Sequence, residues 1–397
     1  MAHIVCVKNP VKTPASLLLL AAFSGVLAVP AAGQSFMLVN PGGLAYASYG
    51  LSGDGHRVVG GTSIGNGNSG AFLWTRGSEY SVFGLEPGVR ANSEARAISG
   101  DGQVIYGNAG RDTNAAGVHA FRWTGTGTYH ELPTLQGYTS SFIRATNGNG
   151  SIAVGYAQFG RQGNGTPTQA CYWSGNTVTA LESDYTAEAL GISRDGSTIV
   201  GGQGSAGGNG VAMVWRPGQG SQVLPGLLNN PSTGGETARG ANADGSVIVG
   251  QSGSYVVDWV DGEVHALLRP NGQLTLGSAL ATSDDGSVIV GSFRFDDVQF
   301  GVYVAGVWTS ETGAISLADY LTQNGVSVPA GVTLTDVFAV SADGRTFSGS
   351  SSQGAFVATI PSPGAAAWLI AGLGVARARR TRVSKCRLSE AVVPRRT

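Results

Sequence analysis

The stretch Ala243–Gly250, "ADGSVIVG", decides the fold. Taken alone it resembles a ligand loop, with an Asp, a Gly and a Ser ahead of a β-branched run. It recurs, however, as "LSGDGHRVVG", "ISGDGQVIYG", "TNGNGSIAVG", "ISRDGSTIVG", "TSDDGSVIVG" and "VSADGRTFSG". The second turn glycine falls at Gly55, Gly102, Gly150, Gly196, Gly245, Gly286 and Gly344. The mean step is about 48 residues, within the range of propeller blades. A β-helix or open solenoid would use shorter repeats.

Three further elements complete each unit. "AFLW", "AFRW", "ACYW", "AMVW", "VVDW" and "AGVW" end at Trp74, Trp123, Trp173, Trp215, Trp259 and Trp308; in the seventh unit Ala358 of "AFVA" takes the Trp position. A Leu-rich piece such as "YHELPTLQG" follows, and an Ala-rich piece such as "ARAIS" precedes the turn. Each unit therefore reads as four strands. Strand a is the Ala-rich piece, b is "VIVG", c is "AFxW" and d is Leu-rich. Asp-Gly between two alternating apolar runs is a strong hairpin signal. The expected fold is all-β, a seven-bladed propeller of four-stranded antiparallel blades, with helical segments at both termini. "QSFMLVNPGG", at Gln34–Gly43, resembles a d strand without its blade, and the seventh unit stops after strand c. An N-terminal strand completing the last blade would close the ring and remove exposed edges.

Composition agrees with a glycine-rich β protein. The 397 residues include 63 Gly, 42% hydrophobic and 12% charged residues, too apolar for a disordered chain. Lys8 and Lys12 ahead of an apolar Leu17–Val29 form a signal-peptide pattern over residues 1–33. Small residues in "VPAAGQS" place signal-peptidase cleavage between Gly33 and Gln34. The body, 34–361, has no Lys, and carries 14 Arg against 24 Asp plus Glu. That acidic balance excludes nucleic acid as a partner, whose phosphates require a cationic face. Cys6 lies in the signal segment and Cys386 in the tail, leaving Cys171 without a disulfide partner in the body.

The unit "AISGDGQVIYG…HAFRW…ELPTL" resembles the bacterial extracellular HAF repeat, with the triplet at His119, Ala120 and Phe121. The resemblance runs from about Gly50 to Pro361, and only the second unit has the full triplet. It implies an exported, propeller-like protein and brings no catalytic residues. The C-terminal segment 362–382 is similar to a PEP-CTERM sorting tail. "PSP" at Pro361, Ser362 and Pro363 precedes an apolar run, Gly364–Ala376, and then Arg377, Arg379, Arg380 and Arg382. This resemblance implies processing by an exosortase-like transpeptidase and attachment at the cell surface, with initial membrane tethering through the apolar run. Ser362 stands where that family has Glu, and residues 383–397 form a basic tail beyond the Arg cluster.

Catalytic residues should break the repeat rather than follow it. Asp54, Asp101, Asp195, Asp244, Asp285 and Asp343 recur in register, and Asn149 substitutes in the third unit. Such residues are turn formers. Each turn offers one carboxylate, too few for calcium, and no cofactor is expected. No Walker loop, HExxH or GxSxG is present. The b–c loops range from five residues at Gln251–Tyr255 to fourteen at Tyr156–Gln169, which points to the b–c/d–a face as the recognition surface. Arg96, Arg144 and Arg239 share one strand-a position and form a candidate anion site, with Glu94, Glu188 and Glu236 as competing partners. "SFRFDDVQFGVYV" (Ser292–Val304) offers Phe293, Phe295 and Phe300 for a carbohydrate or protein contact. The expectation is a surface-attached, non-enzymatic propeller binding polysaccharide or protein. The alternative is a secreted carbohydrate hydrolase or lyase working on that face.

Deleting Ser35–Asn40 should lower the thermal unfolding temperature of the whole body, read by circular dichroism. An unchanged transition would refute closure by the N-terminal strand.

Overall fold

The computed structural model describes residues 36–39, 45–65, 67–78, 80–83, 92–110, 117–126, 129–159, 167–204, 210–216, 218–227, 235–295 and 301–362. The signal segment, Gly33, Gln34, Phe300, Pro363 and the rest of the sorting tail lie outside these residues, as do both expected terminal helical segments.

The described chain is all-β, built of four-stranded antiparallel units in the order a-b-c-d. In the third unit these are Ser140–Thr146, Ile152–Gln158, Thr168–Ser174 and Thr177–Ala180. Three units are separate sheets, and two pairs of units are each joined into an eight-stranded sheet. The joins are single bridges, Ser69 to Asn92 and Tyr255 to Leu276. In the last sheet the outermost position belongs to the N-terminal strand Phe36–Leu38. It runs antiparallel to Gly354–Thr359, with Phe36 opposite Ala358 and Leu38 opposite Phe356. The Phe36 and Phe356 rings stack at 5.8 Å.

The hydrophobic core lies between units. Ala97, Tyr106 and Ala120 of the second unit pack with Ile143, Cys171 and Trp173 of the third. Val58, Phe72 and Trp74 of the first unit pack with Ala355 and Val357 of the last. The repeat tryptophans stitch neighbouring units as well as filling space. The indole N–H groups of Trp173, Trp215 and Trp259 donate to the carbonyls of Pro133, Glu182 and Pro225 at 2.7–2.8 Å, each acceptor lying in the preceding unit. Each such bond contributes about 1 kcal/mol net, and more is lost if one partner is buried alone.

Backbone hydrogen bonds also link the a–b turns in sequence. They run Gly53 to Gly100, Gly100 to Gly148, Gly148 to Arg194, Asp195 to Ala243, Ala243 to Asp284, Asp284 to Ala342 and Ala342 to Gly53, at 2.8–3.1 Å. The last bond returns to the residue that began the series.

Strand a carries the feature that sets the geometry of the interior. In every unit its pairing with strand b skips a residue at one common position, so a β-bulge interrupts the ladder; the first and last units skip a second residue as well, Tyr46 and Thr335. The residues at the common position are Tyr49, Arg96, Arg144, Leu190, Arg239, Leu280 and Phe338. Each lies six positions before its turn glycine. A bulge re-aims the extra side chain out of the ladder plane and bends the strand. The bend presses the strand-a backbone onto strand b. A Cβ on Gly250, the last residue of "ADGSVIVG", would overlap the carbonyl oxygen of Thr237. The other end of the octet is constrained differently. Gly245 has φ +74° in the turn, a conformation that L side chains rarely adopt.

A short helix, Leu317–Gln323, was not expected from the repeat. Ser316 caps it by accepting from the Asp319 N–H at 3.1 Å, and Leu317 and Leu321 are buried in the core between the last two units. Among the described residues no helix is long and apolar enough to cross a membrane.

Replacing Gly250 by Ala should cost about 1–3 kcal/mol, the usual range for overpacking. The urea unfolding midpoint would fall accordingly.

Candidate functional site

The bulges place seven equivalent side chains around one axial space. On the face formed by the ends of strands b and the starts of strands c, this space widens into a cavity of about 640 Å³. Its walls include Thr186 and Glu188 at the start of one strand a, Gly202–Gly204 at the end of a strand b, and the bulge residues Tyr49, Arg96, Arg144, Leu190, Arg239, Leu280 and Phe338. Toward the a–b turns the same bulge residues border a smaller space of about 230 Å³. The bulge residues are thus the waist of an axial channel. Four-stranded units set around such a channel define a β-propeller architecture.

Arg96, Arg144 and Arg239 are brought together here, and their environments differ. Arg96 donates from Nε to Glu94 at 2.7 Å and lies 4.1 Å over the Tyr49 ring. Arg144 reaches the Tyr156 hydroxyl at 3.2 Å and stands 3.9 Å from Glu188, too far for a hydrogen bond. The Nε of Arg239, like that of Arg144, is buried without a hydrogen-bond partner. Glu236 accepts from the Ser252 hydroxyl at 3.4 Å instead. Burial lowers the pKa of Arg239, the neighbouring Arg144 lowers it further, and Glu188 acts in the opposite sense. Burial raises the carboxyl pKa of Glu188 against the pull of Arg144 and Arg239.

The aromatic loop is placed differently from its expected role. Phe293 is fully buried because its strand, Ile289–Arg294, continues through it, and its ring joins the core with Ile289, Val249 and Leu267. It is therefore no surface contact. Phe295 is half-buried against the same cluster, edge-on to Phe293 at 6.3 Å. Exposed apolar surface in this region falls on Val302 and Tyr303.

Reading the sequence for charged positions alone missed Tyr49, Leu190, Leu280 and Phe338. Their signal is positional, the same six-residue distance to the turn glycine. It also missed Arg194 and Asp284, which lie at the opposite end. Their ring position is Gly53, Gly100, Gly148, Arg194, Ala243, Asp284 and Ala342, so charge replaces Gly or Ala in two units. Arg194 donates from Nε to Asp284 at 2.7 Å, and its side chain occupies the space beside Gly53, Gly100 and Gly148.

The turn aspartates are structural. Asp244 accepts from the Ser246 N–H at 3.0 Å, Asp101 from Gln103 at 3.0 Å and Asp285 from Ser287 at 3.0 Å. Asn149 accepts from Ser151 at 3.0 Å in the same way. Among the described residues no group of three or more His, Cys, Asp or Glu could hold a metal ion. His119 of the "HAF" triplet is paired across strands, its Nδ1 2.9 Å from Glu131.

No protein-family model and no curated protein matches the chain. Solved structures do. The WD40 beta propeller domain of Doa1 is 12% identical, over 83% of this chain and 98% of that one, with a TM-score of 0.48. Oligogalacturonate lyase in complex with manganese is also 12% identical, over 82% and 93%, at 0.48. A prolyl endopeptidase is 11% identical with a TM-score of 0.50; 81% of this chain is covered, and only 51% of that one. At such identities the likeness concerns the fold alone.

The serine hydroxyls at Ser99, Ser283 and Ser246, followed by the backbone N–H groups, hold Asp101, Asp285 and Asp244 below the usual carboxylate range. These groups bind protons less readily folded than unfolded. The stability they contribute is present above the ordinary value near ~4 and lost as pH falls through their lowered native values. Urea midpoints should therefore fall steeply with acidification below ~4. Replacing all three by Asn, which keeps the acceptor, should flatten that slope.

Proposed function

We propose that this chain is an exported, surface-attached, non-enzymatic seven-bladed β-propeller that binds polysaccharide or protein partners through its b–c/d–a face. The observation that carries the binding face is the axial cavity opening there, with Arg96, Arg144 and Arg239 converging on it. A rigid frame with a concave, polar-lined mouth is the usual setting for ligand recognition. The blade count is supported by the repeat and by the turn-to-turn hydrogen bonds that return to Gly53. Closure is supported by the pairing of Phe36–Leu38 with Gly354–Thr359 and by the core shared between the first and last units.

Export rests on the signal-peptide pattern of residues 1–33, processed by signal peptidase, and on the HAF-like repeats. Surface attachment rests on the PEP-CTERM-like order of Pro361, Ser362, Pro363, apolar run and Arg cluster, read by an exosortase-like transpeptidase. Glu188 favours a second reading, a carbohydrate hydrolase or lyase. Its raised carboxyl pKa and the nearby Glu236 put two carboxyls in one cavity.

Incubating the purified chain with a panel of extracellular polysaccharides should give retention without cleavage. Turnover that disappears in Glu188→Gln would replace binding by hydrolysis or elimination. Mass spectrometry of cell-surface material should find the chain processed within the tail, and recovery through Thr397 would count against transpeptidase sorting.

A further inference from the structure

The axial cavity has two unlike arcs. In the repeat order around the channel, Leu280, Phe338 and Tyr49 are consecutive, and the Phe338 and Tyr49 rings meet at 5.5 Å. The remaining arc carries Arg96, Arg144 and Arg239, interrupted by Leu190. Arg96 is neutralised by Glu94 at 2.7 Å. Arg144 and Arg239 share Glu188, which approaches no closer than 3.9 Å to Arg144, and each leaves a buried Nε without an acceptor. Buried guanidinium N–H groups short of acceptors are costly, and an anion set between them removes that cost.

The channel is also narrowed at one end. Arg194 crosses the a–b mouth to reach Asp284, 90 positions away in sequence, at 2.7 Å. A Cβ on Gly53 would lie 2.5 Å from the Arg194 guanidinium, and Gly100 and Gly148 are equally crowded by this side chain. Three side chains are thus omitted where the arginine passes. The larger cavity opens on the b–c/d–a face, and the bulge residues separate it from the smaller space that Arg194 crosses.

The body as a whole offers a polyanion little attraction, with 24 acidic residues against 14 Arg. A long acidic polymer meets the bulge side chains at the waist, the Arg194–Asp284 pair beyond them and an acidic surface around the mouth.

We infer that the cavity is an end-recognition pocket for a uronic-acid chain: Arg144 and Arg239 take the terminal carboxylate, and Tyr49 and Phe338 take the apolar face of its sugar ring. This rests on the proposed binding function and names its ligand class. One carboxylate matches the acceptor deficit of the arginine pair, and a cavity of about 640 Å³ holds one or two sugar rings.

Calorimetry on the full chain tests it with four probes: D-glucuronate, D-glucose, an oligoglucuronate with free ends, and the same oligomer capped at both ends by glucose. Glucuronate should bind at least about tenfold more tightly than glucose, the worth of one good charge-assisted contact. The free-ended oligomer should bind and the capped one should not. Arg239→Ala should lose about tenfold or more on glucuronate, and Arg239→Lys should recover only part of that loss, because a point charge lacks the planar fork. An unchanged unfolding temperature in Arg239→Lys would show that lost binding is not lost folding. Equal affinity for glucose and glucuronate, equal affinity for capped and free oligomers, or indifference to Arg239→Ala would each overturn the inference. Binding confined to neutral glycans or to proteins would overturn it while leaving the proposed function standing. Absence of any retained partner would remove both.

Discussion

The structure depends on a mismatch of one residue between strands a and b. Six positions before its turn glycine, every strand a has a residue that its partner cannot pair, and that residue turns inward. The resulting bend brings backbone against backbone, so strand b must supply a glycine opposite it, as Gly155, Gly201, Gly250 and Gly291 do. Seven such mismatches have two effects. They narrow the inner strands enough to converge, and they deliver seven side chains to the axis without spending any strand-face position on them. The channel's chemistry is therefore decoupled from the packing between units. Residues at the bulge can vary from Leu to Arg to Phe while the Ala, Val and Trp positions of the core stay fixed.

This decoupling explains what the sequence made legible. Hairpin turns, strand order and the repeat tryptophans are carried by short-range patterns, and each recurs often enough to be read without coordinates. The three arginines were visible because charge stands out against an apolar strand. Tyr49, Leu190, Leu280 and Phe338 were not, since a lone apolar residue in strand a reads as core. Only the six-residue offset distinguishes them, and the bulge that gives the offset meaning has no local composition of its own. Phe293 failed in the opposite direction. Its phenylalanine-rich neighbourhood looked like a loop, whereas the strand continues through it and the ring is buried. The helix Leu317–Gln323 escaped because it interrupts the repeat, and its Ser316–Asp319 cap is a signal that a search for repeats passes over.

The polar groups sort into two populations. At the turns, each acid or amide accepts a backbone N–H two residues on, and most of the acids accept a serine hydroxyl as well. At the waist, guanidiniums outnumber their close acceptors. The first arrangement is locally complete and is repeated almost without change. The second is incomplete and occurs once, which is why chemistry is sought at the waist and not at the turns.

The N-terminal strand has a consequence for biogenesis. Phe36 is made long before its partner Ala358, which is among the last body residues to be made. Bringing two such distant points together costs roughly 5 kcal/mol of chain entropy. That joining cannot occur until almost the whole body is available in one compartment. A chain delivered across a membrane from its N-terminus would hold its first strand unpaired throughout transit, and would complete its last sheet only after arrival. For a chain so delivered, the clasp would make the finished fold a property of the destination and would keep the chain in transit from locking prematurely.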